Sequence, residues 1–325
     1  MSHGPLKLLY LAGESRSGTT LLEMTLGQVP GIWPAGELRY LWERGLVENQ
    51  LCGCGTPFRE CSLWRSVITG AFGESMLTDP QRVRDVCELQ ARVDQPRSVF
   101  RNAFFSPKRY TGRFREDRMR YVDALGSLYR SIREVTGTTW LIDSSKAPSH
   151  GWLAAGVKDI QMHVVHVVRD CRAVAFSMQR KKVRPEITGQ QVFMPIYPTW
   201  KTALRWVLIN KVCRQFAHTL RPGGNGQRVP TGYTCVRYED FIQQPRAVVA
   251  TILRDIGMAD AGMDHIEGNT VHLRPNHTVA GNPIRFKTGA VELKLDDQWR
   301  RELPLTKRAL VRTVAGRMLR EYAYV

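Results

Sequence analysis

The chain is short of acid. Its 30 Asp and Glu stand against 47 Lys and Arg, a formal net charge of +17 at pH 7 over 325 residues. So one-sided a balance implies an acidic partner, and nucleic acid, an anionic lipid surface and a phosphorylated small molecule all qualify. Long apolar runs are missing too. No stretch approaches the ~20 apolar residues of a membrane helix, so no integral membrane contact is expected. Leu6 to Ala12 is apolar but too short for a secretory signal, and it leads straight into a polar glycine loop. A cytoplasmic protein is the expectation. The seven cysteines are an odd number, which fits a reducing compartment. Ser/Gly- and Pro-rich linkers, internal repeats and low-complexity tracts are absent as well, so one domain over 1–325 is the simplest organisation.

What remains is ordinary globular material: 43% hydrophobic residues in a chain of this length can bury a sizeable core. Short apolar runs alternate with helical patterns. Lys7–Ala12, Thr139–Ile142, Met162–Val168 and Tyr233–Val236 read as strands. Helices are expected over Thr19–Gly27, Pro80–Val93, Arg115–Val135, Cys171–Arg180, Thr199–Leu220, Arg246–Ile256 and Thr306–Tyr322, with one more after Pro148. Near-continuous apolar strands between helices imply a parallel sheet covered on both faces, hence an α/β fold. The excess charge is spread out. Ten Lys/Arg face three acids between Arg97 and Arg133, and Arg180-Lys181-Lys182-Val183-Arg184 forms a block. The first stretch reads equally well as a solvated face or as an anion-binding surface.

One segment carries chemistry by itself. Between the first strand and the first helix lies Gly13-Glu14-Ser15-Arg16-Ser17-Gly18-Thr19-Thr20. Glycines let the backbone wrap an anion, and the freed N–H groups and the positive helix end bind phosphate oxygens. Arg16 adds a cation; Thr19 and Thr20 add hydroxyl donors. The Gly13–Gly18 spacing matches a nucleotide P-loop, but Thr19 stands where the P-loop lysine would reach the β- and γ-phosphates. A phosphotransferase, with Asp143 as a Mg²⁺-associated acid, is therefore the second reading. A nucleic-acid-binding protein is the third, although no basic strand interleaved with aromatics supports it.

The Arg16-Ser17-Gly18-Thr19-Thr20 run resembles the 5′-phosphosulfate loop of sulfotransferases that use 3′-phosphoadenylyl sulfate (PAPS), and looks most like the tyrosylprotein, carbohydrate and related bacterial branch. That resemblance implies a P-loop-like central parallel sheet flanked by helices. It implies that Gly13, Ser15, Arg16, Ser17, Gly18, Thr19 and Thr20 bind the 5′ end of the donor. Arg169, at the end of strand 162–168, and Ser177, eight residues on, match the pair that holds the ribose 3′-phosphate. Physically, Arg169 emerges at the carboxyl edge of the sheet, where open α/β sheets bind ligands. Tyr238-Glu239-Asp240 resembles the segment near the adenine, and Gly281–Gly289, with Arg285 and Lys287, resembles the loop that closes over the nucleotide. Asp143-Ser144-Ser145-Lys146 resembles a segment whose Lys assists at the transferring sulfuryl group, which places Lys146 with Arg16 in catalysis. Glu37, which follows the first helix as the catalytic Glu of that branch does, is the expected base; His150 is the alternative, and His163 and His166 read as core residues.

The resemblance thus implies a small-molecule, glycan or metabolite acceptor, with no nucleic acid partner and no metal required. It leaves 45–115 and 180–230 unmatched, and these are expected to be substrate-side insertions. Cys52, Cys54 and Cys61 raise a zinc reading, but three thiolates lack an obvious fourth ligand and their spacing is not a common structural pattern. The loop is therefore read as packed rather than metal-bound. The acceptor's identity and the oligomeric state are not written in the sequence.

Overall fold

The computed structural model describes residues 4–95, 111–187, 191–219 and 232–325. Parts of both expected insertions, 96–110, 188–190 and 220–231, therefore lie outside the described residues, and so does the basic run from Arg97 to Arg109.

Five strands form the central sheet: β1 (Leu6–Ala12), β2 (Ile32–Pro34), β3 (Trp140–Lys146), β4 (Ile160–Val168) and β5 (Gly232–Arg237). Their spatial order is β2-β3-β1-β4-β5, and every neighbouring pair is parallel. β1 and β4 bury nearly every residue, as strands covered on both faces must. One face packs helix α1 (Thr19–Leu26) and the helices Tyr238–Gln243 and Pro245–Asp255 through Leu9, Leu11, Ile142, Val165 and Val167. The other turns Leu8, Tyr10 and Val164 toward Trp42, Phe58, Trp64 and the long helix Gly112–Thr136. The helices Ser62–Phe72 and Pro80–Val93 join this second core through Trp64, Val67, Val83 and Leu89. Residues 62–93 are thus core structure beside the sheet. A separate antiparallel sheet, β6 (Ile266–Glu267), β7 (Thr270–Leu273) and β8 (Gly289–Glu292), follows. The helix Leu305–Glu321 closes the fold by packing Val311, Ala315 and Leu319 with Trp206 of the helix Thr199–Thr219 and Val174 of the helix Cys171–Gln179.

β3 outruns its expected end. Asp143-Ser144-Ser145-Lys146, the polar segment that follows the apolar run Thr139–Ile142, continues the strand beside β1, with Tyr10 opposite Asp143 and Ala12 opposite Lys146. Its polar groups are answered locally: Ser144 Oγ donates to Glu23 Oε2 (2.5 Å), and Asp143 Oδ1 accepts from the Ser145 N–H (2.9 Å). A buried strand tolerates polar side chains on that condition. Among the described residues no helix is long and apolar enough to cross a membrane.

Candidate functional site

The carboxyl edge of the central sheet delivers the loop. Gly18 caps α1 from the left-handed region (φ +88°), and the space a Cβ would fill is taken by the Tyr238 ring, 2.2 Å from the ideal Cβ position. Only glycine meets both demands. Its carbonyl accepts the N–H groups of Leu21 and Leu22 (both 3.1 Å), and no side chain caps the helix. Arg16 also holds a positive φ (+69°), a conformation that costs a non-glycine residue energy and tends to persist where function needs it.

In front of the loop lies a cavity of about 490 Å³, within the usual range for small-molecule sites. Seven cations line it (Arg16, Arg39, Arg44, Lys146, Arg169, Lys182 and Arg205) against two carboxylates, Glu37 and Asp296. Ser15, Gly18, Thr19, Thr20, Ser177 and Tyr238 share the wall. The cations crowd one another. Burial, then the charge of Arg169, holds Arg16 below its ordinary pKa; burial, then Arg16 and Arg169, lowers Lys182. Arg169 lies 4.6 Å over the Tyr238 ring, and its Nη1 and Nη2 donate to Arg16 O (3.2 Å) and Asp296 Oδ2 (3.4 Å). Yet Arg169 Nε, Arg16 Nη1 and Ser17 Oγ are buried without a hydrogen-bond partner. Buried donors left open are costly unless an anion engages them.

In the same lining Glu37 and Lys146 form an ion pair, Lys146 Nζ donating to Glu37 Oε1. Lys146 too holds a positive φ (+65°). Glu37 is set by its backbone: its N–H donates to Val279 O (2.7 Å), and the N–H of Gly36 donates to Glu23 Oε1 (2.7 Å). Burial pushes the Glu23 carboxyl up to about 8, against the Ser144 hydroxyl, the Gly36 N–H and the Lys146 charge. At neutral pH Glu23 is thus mostly a neutral acid, and it can anchor the Gly36–Glu37 turn without adding charge beside Glu37.

Not every expected residue faces this space. Gly13 and Ser17 lie behind the lining residues. Arg285 is 1% exposed and donates to Thr278 O (2.5 Å) and Leu51 O (2.6 Å), so it ties two chain segments together and does not reach the cavity. Lys287 is exposed, and neither it nor Arg285 is in the lining; from their loop Gly281, Asn282 and Ile284 are. Asp143 is fully buried, accepts from Tyr129 Oη (2.8 Å) and stands 3.4 Å from His150 Nε2. The Mg²⁺-associated acid of the phosphotransferase reading therefore has no path to the cavity. His150, also fully buried, sits between Asp143 and Asp94 and cannot meet a substrate. His163 and His166 are core residues bonded to Thr234, Tyr233 and Asn210.

Sequence reading missed Arg39, Arg44, Tyr197, Arg205 and Asp296, all in the lining. The basic block at 180–184 was the one available signal for Lys182. It also missed His277, which stands beside Cys52 and Cys61 outside the cavity. Of the two unmatched stretches, 180–230 supplies cavity residues, Lys182, Met194, Pro195, Tyr197 and Arg205, whereas none of the lining comes from the described part of 45–115.

Residues 9–261 match the model of the sulfotransferase family. A search of curated protein sequences gave no match. Among solved structures, the chain is similar to the sulfotransferase domain of the Synechococcus olefin synthase, at 18% identity over 97% of each chain with a TM-score of 0.44. It is similar also to the sulfotransferase domain from the curacin biosynthetic pathway, at 14% identity over 98% of each chain with a TM-score of 0.49. With the family model spanning well over half of the chain, from within β1 to beyond β5, the chain belongs to the sulfotransferase family.

Proposed function

We propose that the protein moves the sulfuryl group of PAPS to a hydroxyl of a small-molecule, glycan or metabolite acceptor. The observation that carries this reading is the pairing of two arginines with open buried N–H groups, Arg16 beside Thr19 and Thr20 and Arg169 beside Ser177, in one cavity that also holds Glu37 and Lys146. A donor with phosphate at both the 3′ and 5′ positions needs two separated anion sites, and a single-phosphate ligand would leave one grip idle. The unpartnered buried donors Arg16 Nη1, Ser17 Oγ and Arg169 Nε fit such a ligand.

In this scheme Arg16 and the start of α1 take the 5′-phosphosulfate, Arg169 and Ser177 the 3′-phosphate, and Tyr238 lies against the base. Glu37 accepts the acceptor's hydroxyl proton as the acceptor oxygen bonds to sulfur. The bond from sulfur to the bridging oxygen breaks, and its electron pair leaves on the phosphate of adenosine 3′,5′-bisphosphate. Arg16 and Lys146 face the charge that builds on that oxygen, the usual place for preorganised cations to act. The Lys146–Glu37 pair must open for both roles: Lys146 turns to the donor, which frees the carboxylate to work as a base.

Thermal-shift measurements with adenosine 3′,5′-bisphosphate, ATP plus Mg²⁺ and a DNA oligonucleotide test the donor assignment. The bisphosphate is expected to stabilise the protein most; no stabilisation by it defeats the reading. A panel of hydroxylated acceptors with labelled PAPS then identifies the acceptor class.

A further inference from the structure

Outside the cavity, three sulfurs and an imidazole converge. Cys52 and Cys54 lie in a tight turn in which Cys52 N–H donates to Thr56 O (2.8 Å) and Gly55 N–H to Cys52 O (2.9 Å). Gly55 takes φ +87°, and Leu51 bridges Pro57 across the turn. Cys61 follows the 3₁₀ turn Phe58–Glu60 and stands at the N-terminus of the helix Ser62–Phe72. His277 comes from the far side of the sequence. Its Nδ1 is 3.2 Å from Cys61 Sγ and 3.8 Å from Cys52 Sγ, and Cys54 Sγ is 3.9 Å from Cys61 Sγ. The four donor atoms all lie within 4.8 Å of one another.

These spacings suit one cation better than they suit a disulfide. A disulfide brings two sulfurs to ~2.05 Å, about half the Cys54–Cys61 separation. Four ligands around Zn²⁺, at about 2.3 Å for sulfur and about 2.0 Å for nitrogen in a tetrahedron, stand roughly 3.5–3.8 Å apart. Thiolates with imidazole select a soft or borderline ion over Mg²⁺ or Ca²⁺. Three Cys and one His form a closed set, with no position left for a reacting water, as in structural zinc sites.

The surroundings hold the ligands on both sides. Trp64 Nε1 donates to His277 O (2.7 Å), and Gly53 N–H to Thr278 O (3.0 Å). A Cβ on Gly53 would fall 2.2 Å from Asn276 Oδ1, so the turn reaches this segment only because residue 53 is glycine. Buried Arg285 clamps the same two strands of chain through Thr278 O and Leu51 O. Two residues past His277, Val279 exchanges backbone hydrogen bonds with Ala35 and Glu37.

We infer that Cys52, Cys54, Cys61 and His277 bind one structural Zn²⁺, which fastens the 52–61 loop to the segment that positions Glu37. The test is the zinc content of the full-length chain, purified under thiol reductant without chelator from zinc-supplemented medium. About one zinc per chain is expected, lost together with the cysteines' resistance to thiol reagents when a strong chelator is added. Replacement by Co²⁺ should give the visible absorption of tetrahedral thiolate-bound cobalt. Cys54→Ser should lower the zinc content, and His277→Cys, which keeps four soft ligands, should retain it. Wild-type chain that is folded by circular dichroism yet holds only traces of zinc, and shows no cobalt spectrum when Co²⁺ is added, overturns the inference. So does a disulfide among Cys52, Cys54 and Cys61 in the protein purified without reductant, if reduction restores no metal binding. Wild-type metal content decides the matter even if a variant fails to fold, and none of these readings depends on sulfuryl transfer.

Discussion

In the cavity, seven cations face two carboxylates; one of the seven, Arg39, turns back to a buried cluster, where it and His150 meet Asp94 and Asp143, two charges against two. Arg39 Nε lies 2.7 Å from Asp94 Oδ2, and His150 stands 3.4 Å from Asp94 on one side and 3.4 Å from Asp143 on the other. Burial works against charge on His150, but the two carboxylates outweigh it and hold the imidazole up at about 9. Asp94 is driven well below the ordinary carboxylate range by His150 and Arg39, again against burial. The two regions use the same residue types to opposite ends. Where each charge has its counter-charge inside the protein, the cluster serves the fold; where cations outnumber acids, the deficit is met by a ligand.

This contrast breaks in graded ways. The largest expected effect is on turnover: Glu37→Gln removes the proposed base and should lower the rate about 10²–10⁴-fold. Binding of adenosine 3′,5′-bisphosphate should hold, since no phosphate grip is touched, and an assay with labelled PAPS reads both. Next comes the buried cluster. His150→Ala leaves two carboxylates without their shared cation and should cost about 3–5 kcal/mol of stability in urea unfolding, with bisphosphate affinity of the folded protein unaltered. A loss of affinity there would show that the cluster acts on the cavity through Arg39, the residue the two share.

The same cluster sets a pH dependence. His150 titrates near 9 in the folded chain against 6.5 ordinarily, so its contribution is complete below pH 6.5 and is lost as pH rises through 9. Glu23, raised from 4.5 to about 8, has the same sign: its contribution is complete below pH 4.5 and fades as pH passes 8. Stability should therefore fall by up to roughly 3 kcal/mol between neutral and mildly alkaline pH. In His150→Ala only the Glu23 part of that slope should remain, which unfolding curves at a series of pH values would reveal. The smallest effect is Arg169→Ala. Losing one charged set of hydrogen bonds should weaken bisphosphate binding by about 1.5–3 kcal/mol, roughly 10–100-fold, and leave the alkaline slope as it was. Isothermal titration at fixed salt measures it.

Much of this was readable before any coordinates, and the reason is local. The strand, glycine loop and helix at 7–26 are contiguous, and Arg169 and Ser177 lie two helical turns apart, so spacing alone brings each set to one place. The α/β class followed from apolar strands of the right length. The rest depended on distant partners. Nothing in Asp143-Ser144-Ser145 announces that Glu23, Tyr129 and His150 meet it inside the fold, and Arg285 looks like a ligand-facing cation until Leu51 and Thr278 claim it. His277 lies 216 positions from Cys61, and no short motif announces such a neighbour. The helix Thr199–Thr219 was expected, but not that Arg205 on it would reach the cavity and pair with Glu14 (3.3 Å).

The Tyr238 ring occupies the room that a methyl at position 18 would need, and the same ring carries Arg169 on its face. The turn that opens α1 and the arginine at the end of β4 therefore both rest against one aromatic ring. A single added carbon at position 18 would have to displace that ring, and the displacement would be felt at Arg169. One aromatic side chain thus links the start of the helix to the end of the strand, so the loop and the arginine are set as a pair and not one by one.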